Sequence, residues 1–177
     1  ILGKFSNNIV KVKKKVIYND FLLISQFENV SKIQNDYYFF FQKLVSSLNL
    51  YFSNSNNKLH ILLRRKKTLE QKKEIEFYKK IFHFSCVFHK ASEWKKSYEI
   101  LDKFENIIFM HSTLGYEAIS RKKKVAIFPP KKSRNTNFWF GWPAPFQKKY
   151  NFFTAKNLSL SEIKRVLNNV HNCSKAN

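Results

Sequence analysis

Asn106-Ile-Ile-Phe-Met-His-Ser-Thr-Leu-Gly-Tyr-Glu-Ala-Ile-Ser120 decides how this chain is read. Its first part, 106–111, is an apolar run of strand character, and it passes directly into Ser-Thr-Leu-Gly-Tyr-Glu and then into residues with helical spacing. A strand that feeds a helix with so short a joint is half of a β-α-β unit. The joint lies at the strand's carboxyl end, where open α/β sheets bind ligands. Ser112 and Thr113 stand where the new helix has free N–H groups and the positive end of its dipole, so hydroxyls and amides together suit phosphate oxygens. Gly115 lets either a ligand or the neighbouring strand come close to the first turn. Glu117 is four residues after Thr113, on the same helical face and one turn deeper, where a carboxylate can accept from a ribose diol. The plainer alternative is that Ser112 caps the helix and Glu117 is a solvated surface charge.

The same alternation extends through the chain. Strand candidates are 21–25, 59–64, 85–89, 106–111 and 124–128, each nearly continuous in apolar residues, as a sheet covered on both faces requires. Helix candidates lie between and after them at 36–50, 69–82, 93–104, 113–122 and 160–171. Thr68 with Gln71 and Ser159 with Glu162 have the spacing of reciprocal helix-start caps, and 53–57 is a polar loop. The expected fold is therefore α/β, a Rossmann-like parallel sheet of about five to six strands with helices on both faces. Residues 1–20 read as a tail or interdomain linker and 21–177 as the domain.

That topology places 25–29, 64–68, 111–117 and the aromatic loop 129–145 on one rim. Arg64 and Arg65 end a strand candidate in a chain whose cations are mostly Lys, and a guanidinium matches a phosphate in a way an ammonium does not. His111 and His89 end strand candidates and can reach a ligand, although a lone His there is more often structural. Ser25, Gln26 and Glu28 follow the first strand. Trp139, Gly141 and Trp142 concentrate stacking and packing surface in the last loop.

The 177 residues carry a formal net charge of +21 and 44% apolar residues, enough for one domain with an ordinary core. Such charge ordinarily points to a polyanion partner. Here the excess is Lys spread over helix faces among Asn, Ile and Phe, the pattern of codon drift in an AT-rich genome, and no nucleic-acid partner is expected. Cys86 and Cys173 have neither disulfide nor metal-ligand spacing. No apolar stretch approaches a bilayer span, so a cytoplasmic location is expected, with at most peripheral contact with an anionic membrane. There is no Gly-Lys-Ser/Thr phosphate loop, no Gly-x-Gly-x-x-Gly, no His-Glu-x-x-His and no Asp-x-Asp, so no obligatory metal or cofactor is expected.

Residues 97–128, from Ser-Tyr-Glu-Ile-Leu-Asp through Ser-Thr-Leu-Gly-Tyr-Glu to Val-Ala-Ile-Phe, resemble bacterial surface carbohydrate biosynthesis proteins of the GT-B glycosyltransferase type. Phe140-Gly-Trp-Pro143 and Asn151-Phe-Phe-Thr154 before a terminal helix resemble them too. Two departures stand out: His111 replaces an expected acid, and Arg121-Lys-Lys lacks the glycine expected in the turn before the last strand. The resemblance implies the C-terminal, donor-binding half of a GT-B fold, taking a nucleotide-activated sugar across a cleft from an N-terminal acceptor domain that this chain would lack. A nucleotide-sugar epimerase-like domain and a non-catalytic basic binding module are the alternatives.

Overall fold

The computed structural model describes residues 10–11, 18–28, 36–129, 152–155 and 157–173. Among the described residues five strands alternate with five helices: β1 (Tyr18–Ile24), α1 (Asp36–Phe52), β2 (Leu59–Leu62), α2 (Thr68–Ile81), β3 (Val87–His89), α3 (Trp94–Asp102), β4 (Phe104–Phe109), α4 (Thr113–Ser120), β5 (Lys124–Ile127) and α5 (Leu160–Asn172). The sheet order is β3-β2-β1-β4-β5 with every pairing parallel, the Rossmann-like arrangement expected. At its β5 edge, Ile127 pairs with Thr154 through one isolated parallel bridge.

The strands read as unbroken apolar runs because both of their faces are buried. Alternate side chains point to opposite sides. Phe21, Leu23, Leu59, Ile61, Ile108 and Met110 meet Leu44, Leu48 and Tyr78 from α1 and α2 and Val166 and Leu167 from α5. Leu22, Ile24, Leu62, Ile107, Phe109 and Val125 meet Tyr98 and Leu101 from α3 and Ala118 from α4. The second layer is locked by a buried ion pair: Arg121 donates from Nε to Asp102 Oδ1 at 2.8 Å and from Nη2 to Oδ2 at 2.5 Å, with both side chains 1% exposed. Val10, within the expected tail, packs on this layer and its carbonyl accepts from Arg121 Nη1. β1 itself starts at Tyr18, inside the stretch read as a tail.

Local signals were met unevenly. Ser159 does cap α5, its Oγ accepting from Glu162 N, but the Glu162 carboxylate turns to Arg165 instead of reaching back. The Thr68 and Gln71 cap does not form: Lys67 precedes the helix without a side-chain cap, and Gln71 Nε2 donates to the Arg65 carbonyl, tying the adjoining loop to the helix instead. At the end of α4, Lys122 N donates to Ile119 O and Lys123 N to Ala118 O, the Schellman closure, with Lys122 at φ 58. The missing glycine is thus a real conformational demand that a lysine meets. Among the described residues no helix is long and apolar enough to cross a membrane.

Candidate functional site

The chain runs outward from β1 to β2 and β3, then crosses back to β4 and β5. The connections after β1 and β4 therefore leave on opposite faces, which opens a crevice at the carboxyl ends of these two strands. Register makes the rim level: Ile24 pairs with Leu62, and Leu23 pairs with both Ile61 and Ile108. Ser25, Arg64 and His111 emerge together as a result. A cleft of about 550 Å3 lies there, floored by Ile24, Ser25, Gln26 and Leu62 and walled by Arg64 on one side and Ser112 and Thr113 on the other.

The Arg64 wall is held from below. Glu74 of α2 is fully buried, and its carboxylate accepts from Ser25 Oγ, from Arg64 N at 2.9 Å and from Arg65 N at 3.0 Å. Tyr78, also fully buried, donates to Ser25 Oγ at 2.7 Å. Burial pushes the Glu74 carboxyl up from its ordinary value, opposed by these three hydrogen bonds, each of which it accepts, as an ionised carboxylate would. One buried acid so fixes the backbone from which both guanidiniums project. Their side chains converge on Glu28, whose Oε1 pairs with Arg64 Nη1 and whose Oε2 lies 3.2 Å from Arg65 Nη2.

The opposite wall is the start of α4. Ser112 is the N-cap by position, with extended backbone, yet its side chain makes no capping hydrogen bond. The first amides of α4 therefore keep the donor capacity and dipole that favour an anion. Tyr37 from α1, Ser97 from α3 and His111 complete the lining. Tyr37 donates to Gln26 Oε1 at 2.6 Å, and burial pushes its phenol up to about 12, so it stays a neutral donor. Burial, then the Arg64 charge, holds His111 below the ordinary imidazole value, which keeps the ring neutral at neutral pH. The arrangement offers one strong cation, a helix start and several neutral hydroxyl and amide groups around one space.

The family model described as "putative O-antigen biosynthesis protein" matches residues 1–177. The chain belongs to that family. No curated protein and no solved structure matches it. Membership places the chain in surface carbohydrate biosynthesis, in agreement with the resemblance of its Ser-Thr-Leu-Gly-Tyr-Glu segment at that level.

Within this family member the structure gathers Arg64, His111, Ser112 and Thr113 at the cleft, with Ser25, Gln26 and Glu28. It separates four others from it. Glu117, expected at a ribose, is 6% exposed and accepts from Tyr98 Oη at 2.5 Å. One turn deeper on α4 is under α3, so the helical spacing carries Glu117 into the interior, neither to a ligand nor to solvent. Gly115 answers to packing: a Cβ there would stand 2.3 Å from Phe109 Cγ, so the close approach it permits is that of β4. Arg65 turns to Glu28 and does not line the cleft. His89 is also elsewhere, its Nε2 2.9 Å from His60 Nδ1. Trp139, Gly141 and Trp142 lie outside the described residues.

Sequence reasoning missed Tyr37, Ser97 and Glu74. Tyr37 had a usable signal, since a helix that follows a strand begins on the rim. Glu74 had none, because nothing in its spacing separates it from the neighbouring Glu70 and Glu76 of α2.

Proposed function

We propose that this cleft holds the phosphate end of a nucleotide-activated sugar and that the chain is the donor-binding part of a glycosyltransferase in surface polysaccharide assembly. The observation that carries this reading is the convergence of Arg64 with the uncapped, hydroxyl-bearing start of α4 across a cleft of about 550 Å3 at the switch point of the sheet. In the transfer reaction the bond from the anomeric carbon to the phosphate oxygen breaks, and negative charge grows on the departing phosphate. Arg64 and the first amides of α4, with the Ser112 and Thr113 hydroxyls, stabilise that charge more than they stabilise the intact donor. Gln26, Tyr37 and Ser97 supply neutral partners for ribose or hexose hydroxyls, the task that Glu117 is too deeply packed to perform. An acceptor domain facing the rim would bring the attacking hydroxyl and its base.

Calorimetric titration with UDP, GDP, CMP and CDP tests this, repeated on Arg64→Ala and Ser112→Ala. We expect one nucleotide to bind saturably and to lose affinity by about tenfold or more in Arg64→Ala, the worth of one charge-assisted contact. A folded protein that binds none of the four, or binds equally well without Arg64, refutes the proposal.

A further inference from the structure

Glu28 lines the cleft beside Arg64 and occupies part of that guanidinium's anion-binding capacity. Its carboxylate lines the cleft and bridges Arg64 and Arg65, one oxygen to each guanidinium, while both of those residues are fixed at their backbones by Glu74. The local charge is therefore balanced before any ligand arrives. Arg64 and Arg65 are offset by Glu28 and Glu74, and the surplus is that of the α4 start, on the order of half an elementary charge. A ligand with one negative charge is satisfied by that surplus together with the part of Arg64 it can share. A ligand with several must displace the Glu28 carboxylate or sit against it. The two carboxylates differ in this respect: Glu74 is fully buried and committed to backbone amides, whereas the Glu28 side chain is 26% exposed and paired with the guanidinium side chains.

We propose that Glu28 is the charge-selectivity residue of the cleft, which makes the site favour a singly charged phosphodiester over ligands that carry two or more phosphate charges. The inference rests on the donor-site reading above and adds that a sugar linked through one phosphate, a singly charged diester, suits the cleft better than one linked through a diphosphate. Free nucleotides, which carry two or more phosphate charges, bind saturably but more weakly. Glu28 competes with the ligand for the Arg64 guanidinium, so the selectivity comes from a cost charged to polyanions and not from an added contact.

The test is calorimetric titration with dimethyl phosphate, orthophosphate and pyrophosphate at one fixed ionic strength, on the unaltered chain, Glu28→Gln and Arg64→Ala. We expect the unaltered chain to bind pyrophosphate no better than dimethyl phosphate. Glu28→Gln should tighten pyrophosphate by roughly fivefold, the scale of one partly exposed charge pair, and leave dimethyl phosphate nearly unchanged. Equal or weaker pyrophosphate binding in Glu28→Gln overturns the inference, since Glu28 would then be orienting the guanidiniums for the ligand. If that happens while Arg64→Ala still abolishes binding, the donor-site reading survives alone. If no probe binds either protein, or if Arg64→Ala binds all of them undiminished, the donor-site reading falls and takes the selectivity with it.

Discussion

Replacing Gly115 by Ala adds one methyl group at the tightest contact between α4 and the sheet. That methyl would sit 2.3 Å from Phe109 Cγ, 2.4 Å from Cδ2 and 2.7 Å from Cδ1. Carbon atoms in comfortable contact are about 3.5–4.0 Å apart, so the ring or the helix must retreat by about 1 Å. The ring has nowhere to go: Phe109 is fully buried, and Tyr116 packs on it edge to face at 5.1 Å. Overpacking of this kind costs about 1–3 kcal/mol. Against it, alanine is the better helix former by about 1 kcal/mol. With three contacts under 3 Å the cost falls in the upper half of that range, so the net expectation is a loss of about 1–2 kcal/mol for Gly115→Ala, read as a lower urea midpoint at an unchanged slope. Phe109→Ala in the same background removes the clashing Cγ and Cδ atoms, so the pair of changes should cost less than the sum of the two by about 1 kcal/mol. A Gly115→Ala protein as stable as its parent would refute the packing argument. If that protein had also lost nucleotide binding, the glycine would belong to the ligand after all.

Two further outcomes follow from the geometry. Lys122→Gly relieves a left-handed backbone at φ 58 and should raise stability by about 1 kcal/mol in the same urea assay, whereas Lys122→Ala should leave it unchanged. The His89 imidazole is held down to about 4, first by burial and then by the charges of His60 and Lys103, so folding favours its neutral form. Its contribution is complete above the unfolded value of about 6.5 and is lost as pH falls from there toward about 4, by about 1–2 kcal/mol once solvent screening of the half-buried ring is allowed for. Unfolding midpoints taken across that window should fall more steeply for the unaltered chain than for His89→Gln; parallel slopes would refute the assignment.

The residue pattern by itself determined the architecture. Near-continuous apolar runs alternating with amphipathic stretches can be satisfied only by a parallel sheet with helices on both sides, and strands and helices fell within a few residues of their expected bounds. The same pattern fixed which ends of the strands form the rim, and so brought Arg64, His111, Ser112 and Thr113 to one place on paper. The family resemblance, not the pattern, marked the turn at Arg121-Lys-Lys as wanting a glycine, a demand that Lys122 meets by adopting the left-handed conformation. Spacing says which residues share a helix face, but not what covers that face. Thr113 and Glu117 are one turn apart on α4, and only the packing of α3 decides that the first meets the cleft and the second meets Tyr98. Glu74 is one acid among several on a lysine-rich helix until α2 is laid against β1 and β2, where burial and three hydrogen bonds make it the anchor of the Arg64 wall. Glu28 and the two arginines likewise become one charge system only when the loops after β1 and β2 meet, because ion pairing depends on distances in space that separation along the chain does not encode.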